Sequence, residues 1–268
     1  MQDKILNLLR KEEGYLSGEE ISQHLGVSRA AVWKHIEELR KEGYGIEAMP
    51  HMGYRLVILP DRLFKEEISW KLNTKIIGKE LLCFETLDST MDMCYELGIK
   101  NRPEGTVVCA ETQKKGRGRM GRNWFSPRQK GIYFSVLLRP EISAVEAPKL
   151  TILAAVAVAV AIKGFTGLAC SIKWPNDILI EDKKICGILT EMQAEQDLVK
   201  FIVIGIGINV NTDRKDLPPK ATSIKEEKRI EISRLGLFKE ILREIERHYV
   251  LFQSKGFSPI AIAVICVL

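Results

Sequence analysis

Gly116-Arg117-Gly118-Arg119-Met120-Gly121-Arg122 interleaves glycines with guanidinium groups and has no acidic residue beside it. Glycine lets backbone N–H groups approach an anion closely, and arginine supplies a forked, permanent cation that matches carboxylate and phosphate. Across the wider segment Lys114, Lys115, Arg117, Arg119, Arg122, Arg128 and Lys130 stand against no Asp or Glu. Composition alone fits a disordered basic loop about as well. The next residues decide between the two: Asn123-Trp124-Phe125-Ser126-Pro127 adds aromatic mass, and Ile132-Tyr133-Phe134-Ser135-Val136-Leu137-Leu138 reads as a buried strand. A cationic loop joined directly to a core strand is a positioned grip for an anion.

Outward from that strand the pattern alternates between strands and helices. Strands are predicted over 106–111, 132–138, 171–174, 178–181, 185–192 and 201–210, and helices over 90–98, 148–165 and 235–254, the last stopped by Lys255-Gly256. Glu181-Asp182-Lys183 reads as a tight hairpin turn. This is an α/β (α+β) domain, and three further constellations lie in it. In Lys173-Trp174-Pro175-Asn176-Asp177 a cation, an amide and a carboxylate surround a backbone-fixing proline, and the Asp could hold Mg²⁺ against phosphate oxygens. Lys184 precedes Gly187, which exposes backbone for hydrogen bonding. Gly205-Ile206-Gly207-Ile208-Asn209-Val210-Asn211 is too irregular for a dinucleotide fingerprint, and glycines in a strand mark a close approach by ligand or backbone. Singly, each has an ordinary structural reading; together they point to a nucleotide-using site.

The amino-terminal segment is organised differently. Ser17-Gly18-Glu19-Glu20 fits a capping box at the start of a short helix, Gly26 and Val27 make a turn, and Ser28 caps a second helix. Val32, Ile36 and Leu39 recur as one buried face, leaving Arg29, Ala30, Trp33 and Lys34 pointing elsewhere. That is a helix-turn-helix, whose second helix enters the major groove by its N-terminal end, and residues 45–56 read as a wing carrying Arg55. A three-helix protein–protein module fits the same pattern. Arg29, Lys34 and His35, without acidic partners before Glu37, favour DNA, whereas Arg40 and Lys41 fit a solvated face with Glu37, Glu38 and Glu42.

Bulk properties limit the alternatives. With 268 residues, 46% of them hydrophobic, the chain can hold more than one domain. The net charge is +5, yet residues 1–58 carry eight Lys+Arg and nine Asp+Glu, so the basic excess lies beyond them. Six scattered cysteines and four distant histidines indicate neither a disulfide framework nor a zinc site. Most of the cysteines sit in apolar surroundings and read as packed small hydrophobes rather than nucleophiles. The apolar run 152–162 is too short to span a bilayer and Met1-Gln2-Asp3-Lys4 opens no signal peptide, so a cytoplasmic protein without a membrane partner is expected.

Segments 116–127, 173–177, 184–191 and 205–209, with Asp88-Ser89-Thr90, closely resemble the biotin–protein ligases. Ser28-Arg29-Ala30-Ala31-Val32-Trp33-Lys34-His35-Ile36 resembles the bifunctional bacterial subtype that also represses biotin synthesis, and the likeness runs from about residue 3 to about residue 259. The resemblance implies a winged helix-turn-helix domain at 1–58, a linker at 59–63 and a mixed-sheet, biotin/lipoate ligase-like catalytic domain at 64–256. It implies activation of biotin by ATP with Mg²⁺ to biotinyl-5′-AMP, then transfer to a lysine of the biotin carboxyl carrier domain of acetyl-CoA carboxylase. Arg119 and Lys184 are the implied catalytic pair. Biotin would meet Ser89, Thr90, Gln113, Arg117, Gly118, Arg119, Lys184 and Gly187. The adenylate would meet Arg119, Arg122, Trp124, Lys173, Asn176, Asp177 and Asn209, with Mg²⁺ near Asp177. Operator DNA would meet Ser28, Arg29, Ala30, Trp33, Lys34 and Arg55, bound by a ligand-dependent homodimer.

Two departures from the family stand out. Met91 replaces the usual Asn after Ser-Thr. The family continues into a small β domain, whereas residues 257–268 end in Ile260-Ala261-Ile262-Ala263-Val264-Ile265-Cys266-Val267-Leu268. That ending reads as a truncated or aberrant remnant, pairing as an edge strand or staying exposed. A biotin-sensing DNA-binding regulator with impaired ligase activity is the rival reading, and a ligase for a related acid such as lipoate is a third.

Overall fold

The computed structural model describes residues 1–12 and 14–265, which divide into two compact units, Met1–Asp61 and the chain from Arg62 onward. In the first unit α1 (Gln2–Lys11), α2 (Gly18–Leu25) and α3 (Arg29–Lys41) precede an antiparallel hairpin of β1 (Gly45–Met49) and β2 (Gly53–Ile58). The capping box is present in full: Glu20 N donates to Ser17 Oγ at 3.1 Å and Ser17 N to Glu20 Oε2 at 2.9 Å. Ser28 caps α3 through Ala31 N at 3.2 Å. Val32, Ile36 and Leu39 are fully buried with Ile5, Leu6, Leu9 and Ile21, as the spacing predicts. Gly53, at φ 113°, starts the second strand where a Cβ would lie 2.2 Å from the Leu16 carbonyl oxygen. Only glycine lets the hairpin pair with Leu16 there.

The second unit is built on one seven-stranded sheet, in the order β3 (Leu81–Phe84), β4 (Val107–Ala110), β5 (Gly131–Leu138), β9 (Leu198–Asn209), β8 (Lys183–Glu195), β7 (Asp177–Ile180) and β6 (Ser171–Lys173). Only β3 and β4 run parallel, so the sheet is mixed. Two-residue alternation sends Val107, Phe134, Val136 and Ile204 to a core shared with α6 (Pro148–Thr166) and α8 (Arg234–Lys255). Val108, Leu137, Phe201 and Val203 belong to a second core under α5 (Thr90–Ile99). Short helices α4 (Lys65–Ser69) and α7 (Ile224–Lys228) complete the layer, and these, with β3, carry too little periodicity to stand out in the sequence.

Three boundaries differ from expectation. The β7–β8 turn uses Glu181 and Asp182, both at positive φ as a two-residue primed hairpin requires, so Lys183 already belongs to β8. The apolar run is the middle of α6; by length and composition Ala144–Thr166 could cross a membrane, but 67% of its apolar window is buried in this unit, so it is a core helix. The apolar ending is not an edge strand over its described part: Ser258–Ile265 is a helix, α9, packed on α6 and α8 with Ile260 fully buried. Residues 266–268, including Cys266, lie outside the described residues.

Candidate active site

The basic loop is fixed at its base by a buried ion pair. Arg234 Nη1 of α8 lies 2.6 Å from Glu111 Oε2 just after β4 and donates to the Gly131 carbonyl at the start of β5. With both partners almost fully buried, removal of either would leave an unpaired charge in the core. Above this base the loop folds on itself, with Trp124 N bonded to Gly116 O at 2.8 Å and Gly118 N to Arg122 O at 2.7 Å.

Its cations divide into two sets. Lys115 pairs with Asp88 at 2.9 Å, Arg128 with Glu85 at 2.8 Å, and Arg117 Nη2 with both Asp92 and Glu191 at 2.8 Å. The Lys115 hydrogen bond and charge hold the Asp88 carboxyl below the usual carboxylate range. Acidic partners absent from the segment are therefore supplied by other elements, and Arg117 is a doubly paired anchor rather than a free anion grip. Arg119 donates to Asn176 Oδ1 at 2.8 Å, and among the described residues neither it nor Arg122 has an ion pair. These two keep their charge available.

Two adjoining cavities lie under and beside the loop. The inner one, about 40 Å³, has a polar end: Thr90 N and Oγ1 both donate to Gln113 Oε1 (2.8 and 3.1 Å), and Ser135 Oγ donates to Thr90 Oγ1 at 2.9 Å. Gln113 Nε2 reaches Ser126 Oγ at 3.1 Å, tying this end to the loop. Met91, only 3% exposed, lies on Gly205 and adds a thioether to the wall beside this polar end. Trp124 covers the floor: a Cβ at Gly207 would come within 2.4 Å of the indole and one at Gly187 within 2.8 Å. Both glycines make room for the ring, and the buried indole N–H has no hydrogen-bond partner among the described residues.

The outer cavity, about 520 Å³, shares Gly118, Arg119, Trp124, Asn176 and Lys184 with the inner one and adds Arg122, Asp177 and Asn209. Lys184 Nζ pairs with Asp177 Oδ1 at 2.8 Å and stands 5.4 Å from the Trp124 ring centre. Sequence reasoning missed the far wall, formed by Leu217, Pro218, Lys220 and Ala221. That loop is tied back by Lys184 N to Lys220 O and by Asn209 Nδ2 to Thr222 O, a contact no local pattern announces. Two expected residues do not line either cavity. The Ser89 hydroxyl caps α5 through Asp92 N at 3.3 Å, and Lys173 is exposed at the sheet edge. No cluster of three metal-ligating side chains occurs among the described residues; Asp177 offers a single carboxylate, already shared by Lys184 and Asn176. Burial pushes the thiols of Cys94 and Cys170 up to about 12, so they are packed groups rather than nucleophiles.

In the first unit Ser28, Arg29, Ala30, Trp33 and Lys34 all lie exposed on the N-terminal half of α3, beside a groove that also runs past Met49, His51 and Tyr54. Arg29 has a distant partner in Glu19 at 4.0 Å, and His35 is not free, since its Nδ1 meets Glu38 at 2.9 Å. Arg55 on the hairpin bonds Glu47 at 2.8 Å and lies over the Tyr15 ring.

The sequence profile described as an HTH domain matches residues 2–55, and that of the Biotin/lipoate A/B protein ligase family matches 83–209. The chain is 48% identical over 250 residues to the bifunctional ligase/repressor BirA of Bacillus subtilis, covering 92% of this chain and 77% of that protein. It is 31% identical to the Escherichia coli protein of the same name, covering 96% and 78%. A biotin protein ligase from Aquifex aeolicus in complex with biotin and ATP superposes with a TM-score of 0.59 at 32% identity, over 69% of this chain and 77% of that one. This chain therefore belongs to the family of bifunctional biotin–protein ligases and repressors.

Proposed function

We propose that the second unit binds biotin in the inner cavity and ATP in the outer one, and joins them where the cavities meet. The carrying observation is the set of five shared residues, which includes Arg119, without an ion pair among the described residues, and Lys184, paired with Asp177. Thr90 and Gln113 offer the ureido ring a pre-oriented polar end, and the valerate chain would run past Trp124 toward the cations. A carboxylate oxygen of biotin attacks the α-phosphorus of ATP, the bond to pyrophosphate breaks, and biotinyl-5′-AMP forms. Both reactants are anions, so Arg119 and Lys184 offset their repulsion and hold them in line. Asp177 is the oxygen donor available to a Mg²⁺ carried in on the triphosphate, which would neutralise phosphate charge. The ε-amine of a carrier-domain lysine then attacks the biotinyl carbonyl carbon, AMP departs and an amide forms. Fixed donors at the developing charge contribute on the order of 10²–10³ in rate each.

The first unit supports a repressor role. The exposed N-terminal half of α3 would enter the major groove of operator DNA, and a homodimer ordered by the adenylate would space two such helices for a two-fold site. Incubating the chain with biotin, ATP, Mg²⁺ and a biotin carboxyl carrier domain is expected to add one biotinyl mass to the carrier. An unmodified carrier together with undetectable adenylate would refute the ligase reading.

A further inference from the structure

The doubly paired arginine has partners that no part of the chemistry above uses. Arg117 Nη2 sits 2.8 Å from Asp92 Oδ1 in the first turn of α5 and 2.8 Å from Glu191 Oε2 in β8. Neither carboxylate lines the inner or the outer cavity, so neither touches substrate in the proposed pose. Arg117 also forms the cross-loop bridge with Asn123, next to the Gly118–Arg122 and Gly116–Trp124 backbone bonds. Whatever holds the Arg117 side chain therefore holds the whole loop, including Arg119 two residues on and Trp124 opposite. One guanidinium thus pins the loop to two elements, a helix on one side and a strand on the other.

We propose that Asp92 and Glu191 are positioning residues: by gripping Arg117 between them they latch the basic loop shut over the reacting centre and keep Arg119 and Trp124 in place. This rests on the ligase reading for its consequence, since an unlatched loop would let the adenylate escape before the carrier lysine arrives. The three side chains are 39%, 53% and 32% exposed, so the latch is an ionic contact open to screening by salt.

Two measurements test it with Asp92→Asn, Glu191→Gln and the double variant in the full chain. The first needs no activity. Arg119 and Arg122 are exposed, so trypsin cleavage after them reads how readily the loop backbone leaves its bonded conformation, and the double variant is expected to be cut about three- to tenfold faster than the parent. Raising NaCl from about 0.05 to about 0.5 M should speed cleavage of the parent but not of the double variant. The second measures biotinyl-5′-AMP released to solution per biotin transferred. That ratio should rise by a similar factor, while the single-turnover rate of pyrophosphate formation falls by no more than about tenfold, as expected of an Arg117 left without its partners. Equal cleavage rates, or an equal salt response in parent and variant, would overturn the latch. A parent that forms no adenylate would refute the ligase reading instead, and the cleavage arm would still decide the latch.

Discussion

The recognition helix α3 and the basic loop both present arginine and lysine to solvent, yet they are held by opposite means. In α3 the supports are near in sequence: Ser28 caps three residues away, His35 pairs with Glu38, and Val32, Ile36 and Leu39 bury one face. In the loop they are distant, Arg117 reaching Glu191 across 74 residues and Arg119 reaching Asn176 across 57. Within the loop a cation's role is thus set by its partners rather than by its exposure. Where distant carboxylates take it, as with Lys115, Arg117 and Arg128, it fastens the chain. Where none among the described residues does, as with Arg119 and Arg122, it lines the cavity open to a ligand anion.

The largest expected effect tests that division directly. Arg119→Ala should slow adenylate formation by on the order of 10²–10³, because it removes an uncompensated charge at the junction of the cavities. Arg117→Ala should cost no more than about tenfold, the scale of a partly exposed ion pair and loss of loop order. Single-turnover pyrophosphate release measures both, and equal losses would mean that anchoring and acting cations cannot be told apart by their partners.

Next in size is Gly207→Ala, whose added Cβ would stand 2.4 Å from the Trp124 indole. Overpacking of this kind costs about 1–3 kcal/mol, so the ring must leave the floor and KM for biotin should rise about tenfold or more. Trp124→Ala in the same background should recover part of that loss. An unchanged KM in Gly207→Ala would show that the indole does not lie on the site floor in solution.

In the first unit the matching substitution is Trp33→Ala, which removes an indole 58% exposed on α3. It is expected to weaken binding to duplex DNA selected by the parent from a random pool by about tenfold. Lys34→Ala should instead lower the salt slope of binding by about one. Neither should alter carrier biotinylation; a Trp33→Ala variant that biotinylates poorly would contradict the separation of the two activities.

How much of this was legible follows from the same contrast. Periodicity revealed α3, β5 and α6 because their neighbours repeat within a few residues, and Ser17 with Glu20 announced α2 for the same reason. The loop was legible as a cationic segment on a core strand, and Lys184, Asn176, Asp177 and Gly187 do converge beneath it. The pairing of Arg117 with Asp92 and Glu191 was not, since nothing in a single sequence says which helix and strand will flank a loop. Leu217, Pro218, Lys220 and Ala221 were missed for that reason too, being placed by backbone bonds to Lys184 rather than by a motif. Lys173 misled because its neighbours Asn176 and Asp177 face the cavity while it lies at the sheet edge.

The smallest effect belongs to the most local device, the capping box of α2. Ser17→Ala removes the acceptor for Glu20 N and should cost about 1 kcal/mol, seen as faster hydrogen exchange confined to α2. Glu20 offers a finer test, because its carboxyl is held below the usual range, chiefly by the hydrogen bond from the Ser17 backbone N–H. A carboxyl whose pKa is depressed by folding stabilises the helix above its unfolded value, and that stability is lost as pH falls through the folded value. Glu20→Gln keeps the shape and removes the charge. Parent and variant should therefore differ in α2 protection at neutral pH, and the difference should shrink as pH falls below the ordinary carboxylate range. A difference that persists once the parent's carboxyl is protonated would show that shape, not charge, closes this helix, and would break the claim that unit 1 is organised by neighbours whose chemistry the sequence already displays.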